Sequence, residues 1–282
     1  MNGFTINGIP VGDSAPLIFI GGPCVIESED LALRTASIIH EITDKLGIPF
    51  IFKSSFDKAN RLSHRSFRGP GIKKGLEILH KIRTTVGVPL LTDVHSIEDV
   101  QPVAEVVDVL QIPAFLCRQT DLALTCGKTG KAVLIKKGQF MAPEDMKNSA
   151  LKVIEGGSEK VCLCERGTFF GYHNLVVDMR SLVIMGRDFP VIFDVTHSVQ
   201  IPGGGGHTSS GQPSFILPLA RAAVATGVDG LFVETHPDPE KALCDGPTML
   251  PLKNLEALLL SVMDIDRAVK DTQNRKSTAG MD

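Results

Sequence analysis

Eight short apolar runs along the chain each lead into a distinctive segment, and seven of the eight place a charged or metal-capable side chain within a few residues. In order the segments are Gly21-Gly22-Pro23-Cys24, Lys53-Ser54-Ser55, Thr92-Asp93, Gln111, Lys136-Lys137, Glu165-Arg166, Asp194 then His197, and Glu234-Thr235-His236. One exposed Lys or Glu reads more readily as a solvated charge than as a working group. Recurrence from run to run is different, because a purely structural scaffold needs nothing of the kind. The set points to an enzyme.

The residues divide by charge. Lys53, Lys58, Arg61, Lys136 and Arg166, with Arg118 after the fourth run, are cationic. Phosphate or carboxylate groups would hold so many cations in one cleft, Arg as a fork and Lys as a compact charge. For Arg61 and Arg118 an outward ion pair with an acidic residue on a helix is an equal alternative. Asp93 and Gln111, at neighbouring run ends, are expected in the same substrate pocket. Cys24, His197, Glu234 and Asp245 offer a thiolate, an imidazole and two carboxylates, a mixed donor set suited to a divalent transition metal. No C-x-x-C or H-x-x-x-H spacing links them, and a lone Cys after a strand is usually a small buried hydrophobe. Only the fold can bring these four together.

The runs are Leu17–Ile20, Phe50–Phe52, Leu90–Leu91, Val109–Leu110, Val133–Ile135, Val161–Leu163, Val191–Phe193 and Leu231–Val233. Each is continuously apolar, as a strand buried on both faces should be. Amphipathic stretches separate them. The first runs from a cap at Ser28 to a stop at Gly47, with Leu31, Ile38, Ile39, Ile42 and Leu46 on one face. The last covers Leu252 to about Val269, with Leu255, Leu258, Leu259, Val262 and Ile265 apolar. Eight strand–helix units predict an α/β fold, a (β/α)8 TIM barrel, whose strand C-termini meet at one mouth. The rival, an open doubly wound sheet, lacks its Gly-x-Gly-x-x-Gly turn. Phe4–Ile6 and Ile9–Val11 around Asn7-Gly8 predict a hairpin within residues 1–13, placed over the barrel floor. Residues 1–282 form one expected domain, with a polar tail over 271–282 expected to fray. Cys162 and Cys164 share a strand face and are expected in the core. Cys117, Cys126 and Cys244 carry no pairing signal. The segment around Gly203-Gly204-Gly205-Gly206, within residues 198–213, is expected to be a mobile loop closing over substrate.

With 282 residues, 43% hydrophobic and 22% charged, the chain can bury a large core. Its net charge of −3 lacks the footprint of a nucleic-acid binder. No apolar run approaches the ~20 residues of a membrane span, and the start MNGFTINGIP lacks signal-peptide form. Six Cys in this length do not make a disulfide scaffold. A cytoplasmic protein with reduced thiols and no membrane partner is expected.

The motifs GGPCVIES, FKSSFDKANR, TDVH, QIPAFLCRQTD, KKGQF, CERG, FDVTHSVQ and ETHPDPEKALCDGP, from about Leu17 to Leu260, resemble the 3-deoxy-D-manno-octulosonate 8-phosphate synthase family. The resemblance implies a barrel, homotetrameric, that condenses phosphoenolpyruvate with arabinose 5-phosphate and releases phosphate for lipopolysaccharide synthesis. It implies that Lys53, Lys58, Lys136 and Arg166 bind phosphoenolpyruvate. Asn60 and Arg61 would hold arabinose 5-phosphate, and Arg118 would reach a neighbouring subunit's sugar phosphate. Cys24, His197, Glu234 and Asp245 would be the metal ligands, with Lys136, His197 and Asp245 in the chemistry. The ion would be Zn, Mn, Fe or Co, and no organic cofactor is expected. The family's metal-independent members carry Asn where this chain has Cys24, which argues for the metal-requiring group, although CDGP around Asp245 reads like the metal-independent wording. Two departures stand out. Leu62 replaces a Ser expected after KANR, with Ser63 next to it, and SSGQPSF differs from the family's loop. One rival is the related synthase that uses erythrose 4-phosphate, which has KPRTS where this chain has KANR. The other is a non-catalytic phosphosugar-binding barrel.

Overall fold

A computed structural model describes residues 3–61, 63–205 and 208–278 of the chain. All eight apolar runs are strands: β3 (Ile18–Gly22), β4 (Phe50–Lys53), β5 (Leu90–Asp93), β6 (Val109–Ile112), β7 (Ala132–Lys136), β8 (Val161–Glu165), β11 (Val191–Asp194) and β14 (Gly230–His236). Each pairs in parallel with its neighbour in chain order. The registers Phe193↔Leu231 and Leu231↔Phe19 join the last strand to the seventh and the first, so the sheet closes into the predicted barrel.

Strand periodicity of two sorts the side chains. Ile18, Ile20, Ile51, Leu91, Val109, Leu134, Cys162, Cys164, Ile192 and Phe232 fill the barrel interior. The intervening residues, such as Phe19, Phe52, Val133, Leu163, Phe193 and Val233, pack outward against the helices. Each strand's next inward position, two residues beyond its last apolar one, is the polar residue singled out above: Lys53, Asp93, Gln111, Lys136, Arg166, Asp194 and Glu234. The first strand has Gly22 there. A Cβ on Gly22 would lie 2.1 Å from the Lys53 carbonyl oxygen, so only glycine lets β3 and β4 close at this level.

The hairpin strands β1 (Phe4–Ile6) and β2 (Ile9–Val11) meet through Asn7 and Gly8, both at positive φ (46° and 84°), as a two-residue primed turn requires. Ile6 and Val11 are buried against the interior residues nearest the strand starts, so the hairpin stops the floor of the barrel.

Helix α1 (Glu29–Leu46) begins at Ser28, whose hydroxyl accepts the Leu31 N–H at 3.2 Å, and ends at left-handed Gly47. Its buried stripe is Ala32, Thr35, Ala36, Ile39 and Thr43. Ile38, expected on that face, is 40% exposed: the small residues seat the helix against the sheet and turn Ile38 outward. At the other end of the chain, Leu252–Asn254 forms a single tight turn before helix α9 (Leu255–Thr278). Leu255, Leu258, Leu259 and Val262 are buried as expected. The helix continues into the polar segment after Asp271, where composition alone predicts fraying. The glycine-rich segment also departs from a plain loop. It forms an antiparallel pair, β12 (Gln200–Gly205) with β13 (Thr208–Gly211), after one short turn of helix at Val195–Ser198. Gly206, its last glycine, lies outside the described residues. No described helix is long and apolar enough to cross a membrane.

Candidate active site

Apart from Gln111, the inward polar residues form one connected set at the C-terminal mouth of the barrel. Lys53, 1% exposed, donates to the Ser55 hydroxyl at 3.0 Å and to Glu234 Oε1 at 3.0 Å. Ser55 donates to Asp93 Oδ1 at 2.5 Å, and His95 Nε2 lies 2.9 Å from Asp93 Oδ2. Lys58 Nζ is 3.6 Å from Glu234 Oε1. On the opposite wall Lys136 pairs with Asp194 and stands 3.2 Å from the centre of the Phe232 ring. Arg166 donates to the His197 carbonyl at 3.2 Å and to Gln200 Oε1 at 2.9 Å, while its Nε finds no partner.

Burial opposes ionisation of Asp93, but the His95 hydrogen bond and the Lys53 and Lys58 charges outweigh it and hold that carboxyl below the usual range. At Glu234 burial is likewise overcome by Lys53 and Lys58. At Asp194 it is overcome by His197 and Lys136. Burial also works against charge on Lys58, yet the neighbouring Glu234 and Asp93 carboxylates help raise its pKa. The lysines and carboxylates of the mouth therefore form a lattice of ionised partners, each tolerated in burial because its counter-charge is beside it, whereas Arg166 is held by neutral acceptors.

The four residues read as a metal donor set also converge. Cys24 Sγ lies 3.4 Å from Asp245 Oδ2, and His197 Nε2 lies 3.7 Å from Glu234 Oε2. Ligand atoms of His197, Glu234 and Asp245 fall within 4.8 Å of one another, as do those of Cys24, Cys244 and Asp245. Asp245 is shared by both groups. It sits at φ 48°, ψ 24°, a left-handed conformation uncommon outside glycine and often found at functional sites. Two buried donor atoms there lack hydrogen-bond partners: Glu234 Oε2, and His197 Nδ1, which is 2.8 Å from Asp194 Oδ2 but out of line with it. Burial, followed by contact with Cys244, raises the Cys24 pKa well above its ordinary value. A metal would have to displace that proton. An unsatisfied carboxylate oxygen, Glu234 Oε2, facing His197 Nε2 beside a thiol and a second carboxylate fits a divalent transition metal.

Some sequence expectations fall elsewhere. Arg118 is exposed and lines a surface hollow with Met141, Asp145, Asn148, Ser149 and Lys152. Asn60 is exposed beside Arg61. Of the two alternatives for Arg61, the inward one holds: its Nη1 is 2.8 Å from Cys244 Sγ and 3.8 Å from Asp245 Oδ1. Gln111 is buried, with Oε1 unpartnered. Leu62 lies outside the described residues. Cys162 and Cys164 are in the interior, as expected.

Three residues were less legible. Asp194 is the counter-charge of Lys136 and lies 2.8 Å from His197 Nδ1, and its strand-end place was its only signal. His95 holds Asp93 from outside the ring of strands. Cys244 has its sulfur 3.1 Å from Cys24 Sγ, a pairing across 220 residues that only adjacency to Asp245 hinted at.

Comparison with known proteins gives the same picture. The family model described as "DAHP synthetase I family" matches residues 4–271. The chain is 58% identical to the 2-dehydro-3-deoxyphosphooctonate aldolase of Methylococcus capsulatus, over 95% of each chain. It is 56% identical to the protein of that name from Geobacter metallireducens, over 94% of this chain and 98% of the relative. A third, from Desulfotalea psychrophila, is 56% identical over 93% and 94%. The chain belongs to the DAHP synthetase I family, and within it to the 2-dehydro-3-deoxyphosphooctonate aldolases.

Proposed function

We propose that this chain is a transferase that joins phosphoenolpyruvate, arabinose 5-phosphate and water into 3-deoxy-D-manno-octulosonate 8-phosphate and inorganic phosphate, for lipopolysaccharide synthesis. The observation that carries this reading is the convergence of Lys53, Lys58, Arg61, Lys136 and Arg166 on one barrel mouth, in a chain 55–58% identical to aldolases of that name. Two phosphates and a carboxylate must be held close together before reaction, and these cations offset that charge.

Lys53, Lys58, Lys136 and Arg166 bind phosphoenolpyruvate, with Asp93 and Gln111 completing the pocket wall. Asn60 and Arg61 hold the sugar phosphate and turn its aldehyde inward. Fixing both substrates removes much of the entropic barrier. The enol carbon forms the new C–C bond to the aldehyde carbon. Water adds at the carbon bearing the phosphate, and the resulting tetrahedral centre expels that phosphate. Lys136 lies where it can stabilise negative charge that develops on the substrate oxygens only in the transition state. His197 and Asp245 are only partly buried, so they are the donors that can reach the reacting atoms.

Cys24, His197, Glu234 and Asp245 would hold a divalent ion (Zn, Mn, Fe or Co), which when bound orients and polarises a water or the aldehyde. The scheme uses no organic cofactor. We further propose a cytoplasmic homotetramer in which Arg118 reaches a neighbouring subunit's sugar phosphate.

The test is phosphate release from phosphoenolpyruvate with arabinose 5-phosphate or erythrose 4-phosphate, each with and without chelator. Release with arabinose 5-phosphate alone, lost on chelation, is expected. Release only with erythrose 4-phosphate would reassign the chain to the related synthase. Phosphoenolpyruvate binding with no release from either sugar would favour the binding-protein reading.

A further inference from the structure

Two thiols far apart in sequence meet at the mouth of the barrel. Cys24 lies just beyond β3, and Cys244 lies in the irregular segment between the turns Pro239–Lys241 and Gly246–Thr248. Their sulfurs are 3.1 Å apart and both residues are buried. Among the described residues no other two cysteine sulfurs come within hydrogen-bonding distance. A disulfide needs about 2.05 Å between sulfurs, so closure asks for a shift of about 1 Å from the observed 3.1 Å.

The two sides differ in stiffness. Cys24 is fixed, because the next residue, Val25, bridges to Ser55 in the neighbouring strand–loop unit. The Cys244 segment is held by loop contacts outside the sheet: the Leu243 N–H to Glu27 Oε1 at 2.9 Å, the Leu243 carbonyl to Arg61 Nη2 at 3.4 Å, and the Thr248 N–H to the Asp245 carbonyl at 3.0 Å. Met249, Phe67 and Ala242 close over the sulfur pair and form a small apolar nest. The Arg61 guanidinium, 2.8 Å from Cys244 Sγ, favours negative charge as it develops on that sulfur.

We infer that Cys24 and Cys244 form a reversible disulfide when the metal seat is empty. Closure takes Cys24 out of the donor set and draws on Asp245, the neighbour of Cys244. The oxidant is hydrogen peroxide. Cys244 sulfur, losing its proton, attacks the O–O bond to give a sulfenic acid and one water. Cys24 sulfur, losing its proton in turn, attacks Cys244 sulfur, forms the S–S bond and expels the second water. The cysteines give up two electrons together and the peroxide takes both. A bound divalent ion occupies Cys24 Sγ and competes directly with closure, so metal protects the thiol and oxidation locks the ion out.

This inference takes the metal seat from the proposed function, but its first readout does not depend on it. The full chain, stripped of metal with chelator, is treated with hydrogen peroxide and digested without reduction. We expect a linked peptide joining Cys24 to Cys244, two hydrogens lighter than the thiol pair, which disappears with dithiothreitol. Zinc uptake, measured as bound metal per chain, should fall in step with the link and return on reduction. Preloading with zinc at about ten times its Kd should slow linkage roughly tenfold by mass action. Cys244→Ser should form no such link, whereas Cys117→Ser should still form it. Recovery of Cys24 and Cys244 from the stripped wild-type chain as thiols or separate oxidation products would overturn the inference, as would linkage at the same rate with zinc bound. A chain that forms the link but takes up no zinc when reduced would sink the metal reading and leave the dithiol pairing standing.

Discussion

Asp194→Asn is the substitution that most directly probes how the mouth is held together. Asp194 is fully buried. Its Oδ1 accepts the His197 N–H at 2.9 Å, capping the short turn that carries His197. Its Oδ2 faces Lys136 and the His197 ring. Asparagine keeps the cap but turns an NH2 donor toward the Lys136 ammonium, so a buried cation loses its counter-charge. Breaking one side of a buried pair costs about 3–5 kcal/mol. Lys136 keeps the Phe232 ring at 3.2 Å, a contact worth up to about 2 kcal/mol when desolvated, so the loss should fall near the lower figure. With Lys136→Met already present no stranded cation remains, and Asp194→Asn should cost much less. Urea unfolding of wild type, both single variants and the double variant gives the coupling directly, expected at about 2–3 kcal/mol at neutral pH. The sign with pH follows from Asp194, where burial opposes ionisation but His197 and Lys136 bring its pKa below the unfolded value. Its contribution is complete above about pH 4 and is lost as pH falls through the folded value. The wild-type advantage should therefore stay level from neutral to mildly alkaline pH and shrink only in acid. Losses that add within about 0.5 kcal/mol would refute the ion-pair account.

Cys24→Asn should retain phosphate release without added metal, because a neutral amide of similar reach can bond Asp245 in place of the thiol 3.4 Å away; a well-folded variant inactive at every metal concentration would count against it. His197→Ala should lower turnover by about 10²–10⁴-fold in the same assay while circular dichroism stays unchanged, and wild-type turnover would remove His197 from the chemistry. His95→Gln should destabilise most on the acid side. At His95 burial opposes charge, but Asp93, Asp57 and Asp99 raise its pKa, so its contribution is present below the ordinary histidine value near 6.5 and is lost as pH rises through the folded value. Urea midpoints followed from about pH 6 to about pH 9 should converge, and a constant gap would show that His95 acts through its edge-on packing against the Phe56 ring, 5.5 Å between centroids, rather than through its charge.

The barrel was legible because its signal is local. A strand buried on both faces must be apolar at every position, and eight such runs leave few alternatives. Run ends alone could not sort neighbouring polar residues, since both members of each pair follow the same strand. Closure of the barrel sorts them by parity. Lys136 turns inward, while Lys137, equally buried, turns outward to the Thr168 hydroxyl at 2.9 Å and to Glu165 at 3.4 Å. Arg166 reaches the mouth, while Glu165 accepts the Arg166 and Gly167 N–H groups and the Ser181 hydroxyl. Cys244 and Ile38 were harder for opposite reasons. The place of Cys244 depends on a loop with no periodicity, and the place of Ile38 depends on small residues deciding which helix face can approach the sheet.

The charge pattern of the mouth shows how so fully buried a site could take up the anions of the proposed reaction. Glu234 Oε1 faces Lys53 and Lys58, while its Oε2 is unpartnered and faces His197. One carboxylate thus neutralises the cations on one side and offers a free oxygen on the other. Asp194 performs a similar division between Lys136 and the His197 turn. An arriving phosphate can share these lysines without leaving either carboxylate stranded, because each retains a second cationic or hydrogen-bonding neighbour. The partly exposed cations, Lys58 and Arg61 at 12% and 14%, need the least desolvation to exchange partners. In the proposed reaction, entry of substrate anions should therefore begin at Lys58 and Arg61 and end at Lys53 and Lys136, which their own carboxylate contacts hold in place.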